Sequence, residues 1–182
     1  MINICKLKLT NLQQEILRLL FIKSGEKLNQ RRISLHLNVS QPAVIKALPE
    51  LIKNEYIQVQ QDKESKRWEI ELNKSNNQIM QLKRVDNLKQ IYESNLANFL
   101  EEQLPGATII LFGSYSRGDD LINSDIDVAV IGRKDKLINL EKYEKILQRT
   151  INLSFFGSWS KININLKENI CNGIILFGTV EL

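Results

Sequence analysis

The 182-residue sequence contains two cysteines, three prolines and a single histidine. Cys5 and Cys171 lie far apart with no paired ligand spacing, and two cysteines make no disulfide framework. A reducing, cytoplasmic setting is therefore expected. His36, alone, is poor evidence for a metal ligand or a general base, and it is expected to pack or face solvent in a helix. No run of about 18 apolar residues is available to cross a bilayer. The opening MINICKLKLT lacks the apolar core of a secretion signal, so no membrane partner is expected. What remains is 43% apolar and 25% charged. That is the composition of a soluble globular chain, long enough for one domain or two small ones.

The net charge of +4 is unevenly shared. Residues 1–75 hold 13 Lys/Arg against 8 Asp/Glu, whereas residues 76–182 hold 12 against 13. A basic N-terminal half hints at a polyanionic partner, although exposed lysines often do no more than solvate a face.

The segment NLQQEILRLLFIKSG spaces Leu12, Ile16, Leu19, Leu20 and Ile22 as a helix that ends at Gly25. A second, shorter helix in LNQRRISLHLNVS stops near Asn38. Ser40 then reads as an N-cap with Pro42 in the first turn of a third helix, where a missing N–H costs nothing. That helix, QPAVIKALPELIKN, buries Val44, Ala47, Leu48 and Leu51. Its Pro49 is unusual, because proline inside a helix costs roughly 3 kcal/mol and should kink or tighten it. EYIQVQQ and KRWEIELN alternate apolar and polar residues around DKESK, which makes a hairpin.

Three helices and a hairpin over about residues 10–73 resemble a winged helix-turn-helix domain, most strongly in VSQPAVIKALPELIKNEYI. The resemblance implies a DNA-binding domain over residues 1–75, with the start of the third helix facing base edges. Gln41, Lys46 and the wing residues Lys63, Lys66 and Arg67 are the expected DNA contacts. Arg31 and Arg32 are expected on phosphates, which fix position rather than sequence. Dimerisation or protein docking is the other use to which such domains are put.

From Met80 to Leu104 the apolar residues Met80, Leu82, Val85, Leu88, Ile91, Leu96, Phe99, Leu100 and Leu104 predict one long helix, about 77–104, with a broad apolar stripe. Pro105-Gly106 ends it. It links the first module to the second, residues 76–182, and part of the stripe is available as a homodimer seam.

The stretch GSYSRGDDLINSDIDVAV carries the chemistry. ATIILFG before it reads as a buried strand ending at Gly113, and DIDVAVIG as another. Alternation aims Asp125 and Asp127 to one face. Two anions on a half-buried face repel each other and are costly to desolvate. A divalent cation with a taste for hard oxygen ligands removes the conflict. The bland reading makes Asp125 a loop cap and Asp127 a lysine partner. Gly113-Ser114 lies where a strand gives way to a short helix, a setting that favours phosphate.

Gly-Ser, ten intervening residues and Asp-x-Asp, flanked by strands, resemble the nucleotidyltransferase superfamily of DNA polymerase β, and most closely its minimal branch, over about residues 86–182. The resemblance implies an α+β chain, a winged helix followed by a mixed sheet with flanking helices. It implies that Gly113 and Ser114 hold a nucleoside triphosphate, expected to be ATP, with Arg117 a further phosphate contact. Asp125 and Asp127 are implied as catalytic ligands of Mg²⁺ or Mn²⁺, in transfer of a nucleotide, expected to be AMP, to a protein or small-molecule acceptor. Some relatives are antitoxins that adenylylate a helical ribonuclease toxin, so a toxin-like protein is an implied partner.

The family carries a third carboxylate on a following strand, within an apolar-acid-apolar triplet. Here the matching triplet is Ile151-Asn152-Leu153. An amide offers a carbonyl oxygen but no charge, and it takes no proton from an incoming hydroxyl. Glu168, in a terminal helix before a last strand IILFGTV, is a poor substitute. Two readings follow: an active transferase coupled to a DNA-binding regulator, or a catalytically impaired nucleotide-binding regulator.

Overall fold

The computed structural model describes residues 9–63 and 66–180. The chain divides into two compact units, Met1–Ile79 and Met80–Leu182. In the first, helices α1 (Asn11–Ile22), α2 (Gln30–Leu37) and α3 (Gln41–Lys53) precede strands β1 (Ile57–Gln61) and β2 (Trp68–Leu72). Each helix begins on a side-chain cap that takes an otherwise orphaned backbone N–H: Thr10 for α1, Asn29 for α2 and Ser40 for α3. Asn38, left-handed at φ +52, ends α2. β1 and β2 pair antiparallel, and Leu28 bridges to Ile70 beside them. Ile16, Leu20, Leu28, Ile33, Val44, Leu51 and Ile70 fill the core. This is a winged helix-turn-helix arrangement. Glu64 and Ser65, in the turn of the expected hairpin, lie outside the described residues, as does Cys5.

Pro49 does not interrupt α3, which runs unbroken to Lys53. The carbonyl that loses its partner belongs to Ile45, four residues earlier. Both residues lie on the exposed side of the helix, where water can take that bond. His36 is exposed in the last turn of α2.

The predicted single helix over 77–104 is two: α4 (Asn77–Glu93) and α5 (Leu96–Gln103). Asn95 turns left-handed at φ +64 and the Ser94 hydroxyl accepts the Leu96 N–H. Asparagine tolerates that conformation better than most residues. The expected apolar stripe is interrupted on α4: Leu88 and Ile91 pack in the core, but polar side chains share the buried face. Lys83, Asn87 and Ile91, at i, i+4 and i+8, are its buried residues within this unit, while Val85 is 64% exposed.

The second unit continues with β3 (Thr108–Phe112), the short helix α6 (Gly113–Arg117), β4 (Ile126–Ile131), α7 (Glu141–Leu147), β5 (Ile151–Phe156), α8 (Ile164–Cys171) and β6 (Ile174–Phe177). Strand order is β5-β4-β3-β6, with β4 and β5 parallel and the other pairs antiparallel. Side-chain alternation divides the sheet cleanly. Ile109, Leu111, Ile126, Val128 and Val130 pack with Leu96, Leu100 and Tyr143 on one face. Ile110, Phe112, Ala129 and Ile131 pack with Ile162 and Ile170 on the other. Among the described residues, no helix is long and apolar enough to cross a membrane.

Candidate functional site

Strand β3, interior to the sheet, ends at Phe112 and hands over to Gly113, and the loop returns to β4 through Asp125. Phe112 and Asp127 are register partners, which brings the Gly113 backbone against the Asp127 carboxylate. Gly113 has φ +75, and a Cβ added there would lie 2.5 Å from Asp127 Oδ2. Left-handed backbone and lack of space both require glycine. From the sequence this glycine is tied only to a phosphate-favouring turn, without its contact with the acid.

Asp127 is half-buried within β4, and Asp125 is exposed one residue ahead of it. Two residues apart, they share the face that carries Ala129, opposite the one filled by Ile126, Val128 and Val130. Asn152 is the register partner of Asp127 on the parallel neighbour β5. Its Nδ2 donates to Asp125 Oδ2 at 3.0 Å. One amide thus stands beside one acid and holds the other. Among the described residues, no third Asp, Glu, His or Cys joins them in a metal-binding group. Glu168 sits exposed on α8.

Ser114 is half-buried in the first turn of α6, and the Ser116 hydroxyl closes the turn by donating to Gly113 O at 2.9 Å. Arg117 is exposed. Its Nε donates to Asp119 Oδ2 and its Nη1 to Asn169 Oδ1, both at 3.2 Å. A phosphate at Arg117 must share or displace those partners.

Behind the loop lies a cluster that sequence reasoning missed. Lys83 is 0% and Asp120 1% exposed, and the two form a buried ion pair. Lys83 Nζ also donates to Gly118 O at 3.1 Å and Asp120 O at 2.9 Å. Asn87 Nδ2 donates to Asp120 Oδ1 at 2.7 Å and Tyr115 O at 2.9 Å. Arg149 Nη2 faces Asp120 Oδ2 at 3.5 Å. Burial pushes the Lys83 pKa below the ordinary lysine range, against the opposing pull of Asp120. The signal in the sequence was the i, i+4 pair Lys83 and Asn87 in line with Ile91, and an aspartate doublet where one loop acid would suffice.

In the first unit, Arg31, Gln41 and Arg67 line one recess of about 260 Å³ with Asn29, Gln30 and Trp68. Gln41 opens α3 beside the Ser40 cap, whose hydroxyl accepts the Ala43 N–H at 3.3 Å. Lys46, Lys63 and Lys66 are exposed. Arg32 is exposed and ion-paired with Glu26, a partner that a phosphate there would have to share or displace. That pairing joins the loop after α1 to the first turn of α2, six residues on, and has no sequence signature.

Residues 93–170 match the nucleotidyltransferase domain family, and the second unit therefore carries a nucleotidyltransferase domain. A stretch of 58 residues is 40% identical to the protein adenylyltransferase MntA of Shewanella oneidensis, covering 31% of this chain and 41% of that protein. The match thus spans about two fifths of the relative's length. Among solved structures, the adhesin competence repressor AdcR of Streptococcus pyogenes is similar with 28% identity and a TM-score of 0.40, over 53% of this chain and 68% of its own. The S. aureus MepR–DNA complex is similar with 24% identity and a TM-score of 0.38, over 52% and 81%.

Proposed function

We propose that the second unit binds ATP with Mg²⁺ at Asp125 and Asp127 and transfers AMP to a hydroxyl of a protein or small-molecule acceptor, while the first unit binds duplex DNA. The observation that carries the reading is the grouping of Asp125, Asp127 and Asn152 beside the backbone of Gly113. The residues fit a divalent cation. Two carboxylates on one face supply hard anionic oxygens, and a 180° turn of the Asn152 amide presents a third, neutral oxygen. Mg²⁺ commonly takes one or two carboxylates, with waters and substrate phosphates completing its shell, and Mn²⁺ suits the same donors. Bound there, the cation neutralises phosphate charge and aligns the triphosphate.

The remaining steps belong to the chain. Gly113, lacking a side chain, lets the Asp127 carboxylate sit against the start of the loop, and the Ser114 hydroxyl donates to a phosphate oxygen. The acceptor oxygen forms a bond to the α-phosphorus as the bond to the bridging oxygen breaks and pyrophosphate leaves. Positioning and charge complementarity do most of this work. Asn152 holds Asp125 through its Nδ2 until the amide turns toward the cation; in either orientation it takes no proton, so the acceptor's proton passes to solvent.

The protein adenylyltransferase match makes a protein hydroxyl the first acceptor class to try, and an antitoxin role makes a helical toxin-like neighbour the first candidate. Incubating the protein with α-labelled ATP and Mg²⁺, with and without the product of the adjacent gene, should label an acceptor. Asp127→Ala should abolish the label. Asn152 favours a second reading, in which nucleotide is bound without turnover and signals to the DNA-binding unit. Binding with no transfer to any acceptor decides for that reading, and no binding by wild type rejects both.

The DNA assignment rests on exposed Gln41 and Lys46 of α3 and on exposed cations of the wing. Phosphate contacts release counterions, so binding should weaken steeply with salt. Removing Lys66 or Arg67 should lower the slope of log affinity against log salt by about one each. Anisotropy titrations against the protein's own promoter measure it. No binding at low salt moves this unit to protein docking.

A further inference from the structure

The Lys83–Asp120 cluster has no part in the chemistry above, yet it is expensive. Taking an ammonium, a guanidinium and a carboxylate out of water costs more than a surface ion pair returns. What the cluster holds explains the cost. Helix α4 presents Lys83, Arg84 and Asn87 to the loop that follows Gly113. Asn87 takes Tyr115 O, Arg84 Nε takes Ser116 O at 3.0 Å, and Lys83 takes Gly118 O and Asp120 O. Four backbone carbonyls of residues 115–120 are thus bound by one helix. A carbonyl oxygen turned toward a triphosphate repels it, whereas these are fixed on α4. Asp120 secures the arrangement from within the loop, since its carboxylate engages Lys83 and Asn87 together. Through Arg149, three residues ahead of Asn152, it also reaches the start of β5.

We propose that Asp120 is a positioning residue: with Lys83, Asn87 and Arg149 it forms a buried ionic clamp that fixes the Gly113–Asp120 loop in the form that accepts a triphosphate. The proposal rests on the nucleotide-binding reading above. It predicts that the charges matter for the loop's conformation and not only for the unit's stability.

The test compares the full chain with Asp120→Asn and with the triple variant Lys83→Met/Asp120→Leu/Arg149→Met. Each is read by melting temperature, by hydrogen–deuterium exchange of peptides covering residues 113–120, and by titration with Mg-ATP. In Asp120→Asn, exchange over 113–120 should quicken by about tenfold, the scale of one lost charge-assisted hydrogen bond, while β3 and β4 keep their protection. The Kd for Mg-ATP should rise by a similar factor. Apolar side chains often replace a buried ion cluster without loss of stability. The triple variant should therefore melt near wild type yet still exchange fast and bind weakly. A triple variant with wild-type melting, exchange and affinity overturns the clamp and leaves the cluster a packing feature. If wild type binds no ATP, the nucleotide reading fails and exchange alone decides. Fast exchange confined to 113–120 then supports the clamp, and unchanged exchange overturns it.

Discussion

Replacing Asn152 with aspartate should raise nucleotide transfer by about 10²–10⁴-fold over wild type, the range a positioned general base supplies. The substitution barely changes side-chain volume, and Asn152 already stands in register with Asp127 and touches Asp125. A carboxylate there needs no backbone movement to reach the same place. It adds a proton acceptor for the incoming hydroxyl and a third anionic oxygen for the cation. Without a cation, the same change should cost stability. The Nδ2 donor to Asp125 is lost, and three carboxylates repel at one edge of the sheet. The variant should therefore melt below wild type in chelator and recover with Mg²⁺ by more than wild type does. Label transfer and melting with and without Mg²⁺ measure both halves. A variant that gains neither transfer nor Mg²⁺-linked stability would place Asn152 outside the ligand set.

Much of this architecture was legible because it rests on local rules. Ser40 and Pro42 mark the start of α3, and the alternation of EYIQVQQ and KRWEIELN marks the wing. The apolar run ATIILF and the alternating DIDVAVIG announce the two central strands. The alternation of DIDVAVIG aimed Asp125 and Asp127 to one face, and the triplet Ile151-Asn152-Leu153 located the residue that the register sets beside Asp127.

What escaped depends on partners distant in sequence. Apolar periodicity picks out apolar residues alone, so Lys83 and Asn87 fall outside the predicted stripe. Their burial follows from carbonyls and a carboxylate more than 25 residues away. The break between α4 and α5 turns on one asparagine that adopts a left-handed conformation, which the apolar pattern does not register. Arg32 looked like Arg31 until Glu26 claimed it. Gly113 stood out in the sequence as a phosphate contact, whereas its close approach to the Asp127 carboxylate is visible only through the pairing of β3 with β4.

The central claim is that Asp125 and Asp127 jointly hold a cation that ties a triphosphate to the loop at Gly113. Its most direct measurement is calorimetric titration of ATP, with Mg²⁺ and with chelator, into wild type and into Asp125→Ala/Asp127→Ala. Altering residues that merely support metal ligands typically costs 10–100-fold in affinity, so losing both ligands should cost at least about 100-fold. Wild type should bind ATP tightly only with Mg²⁺. The double variant should bind weakly and equally in both conditions. Equal Mg-ATP affinity in the two proteins would contradict the account.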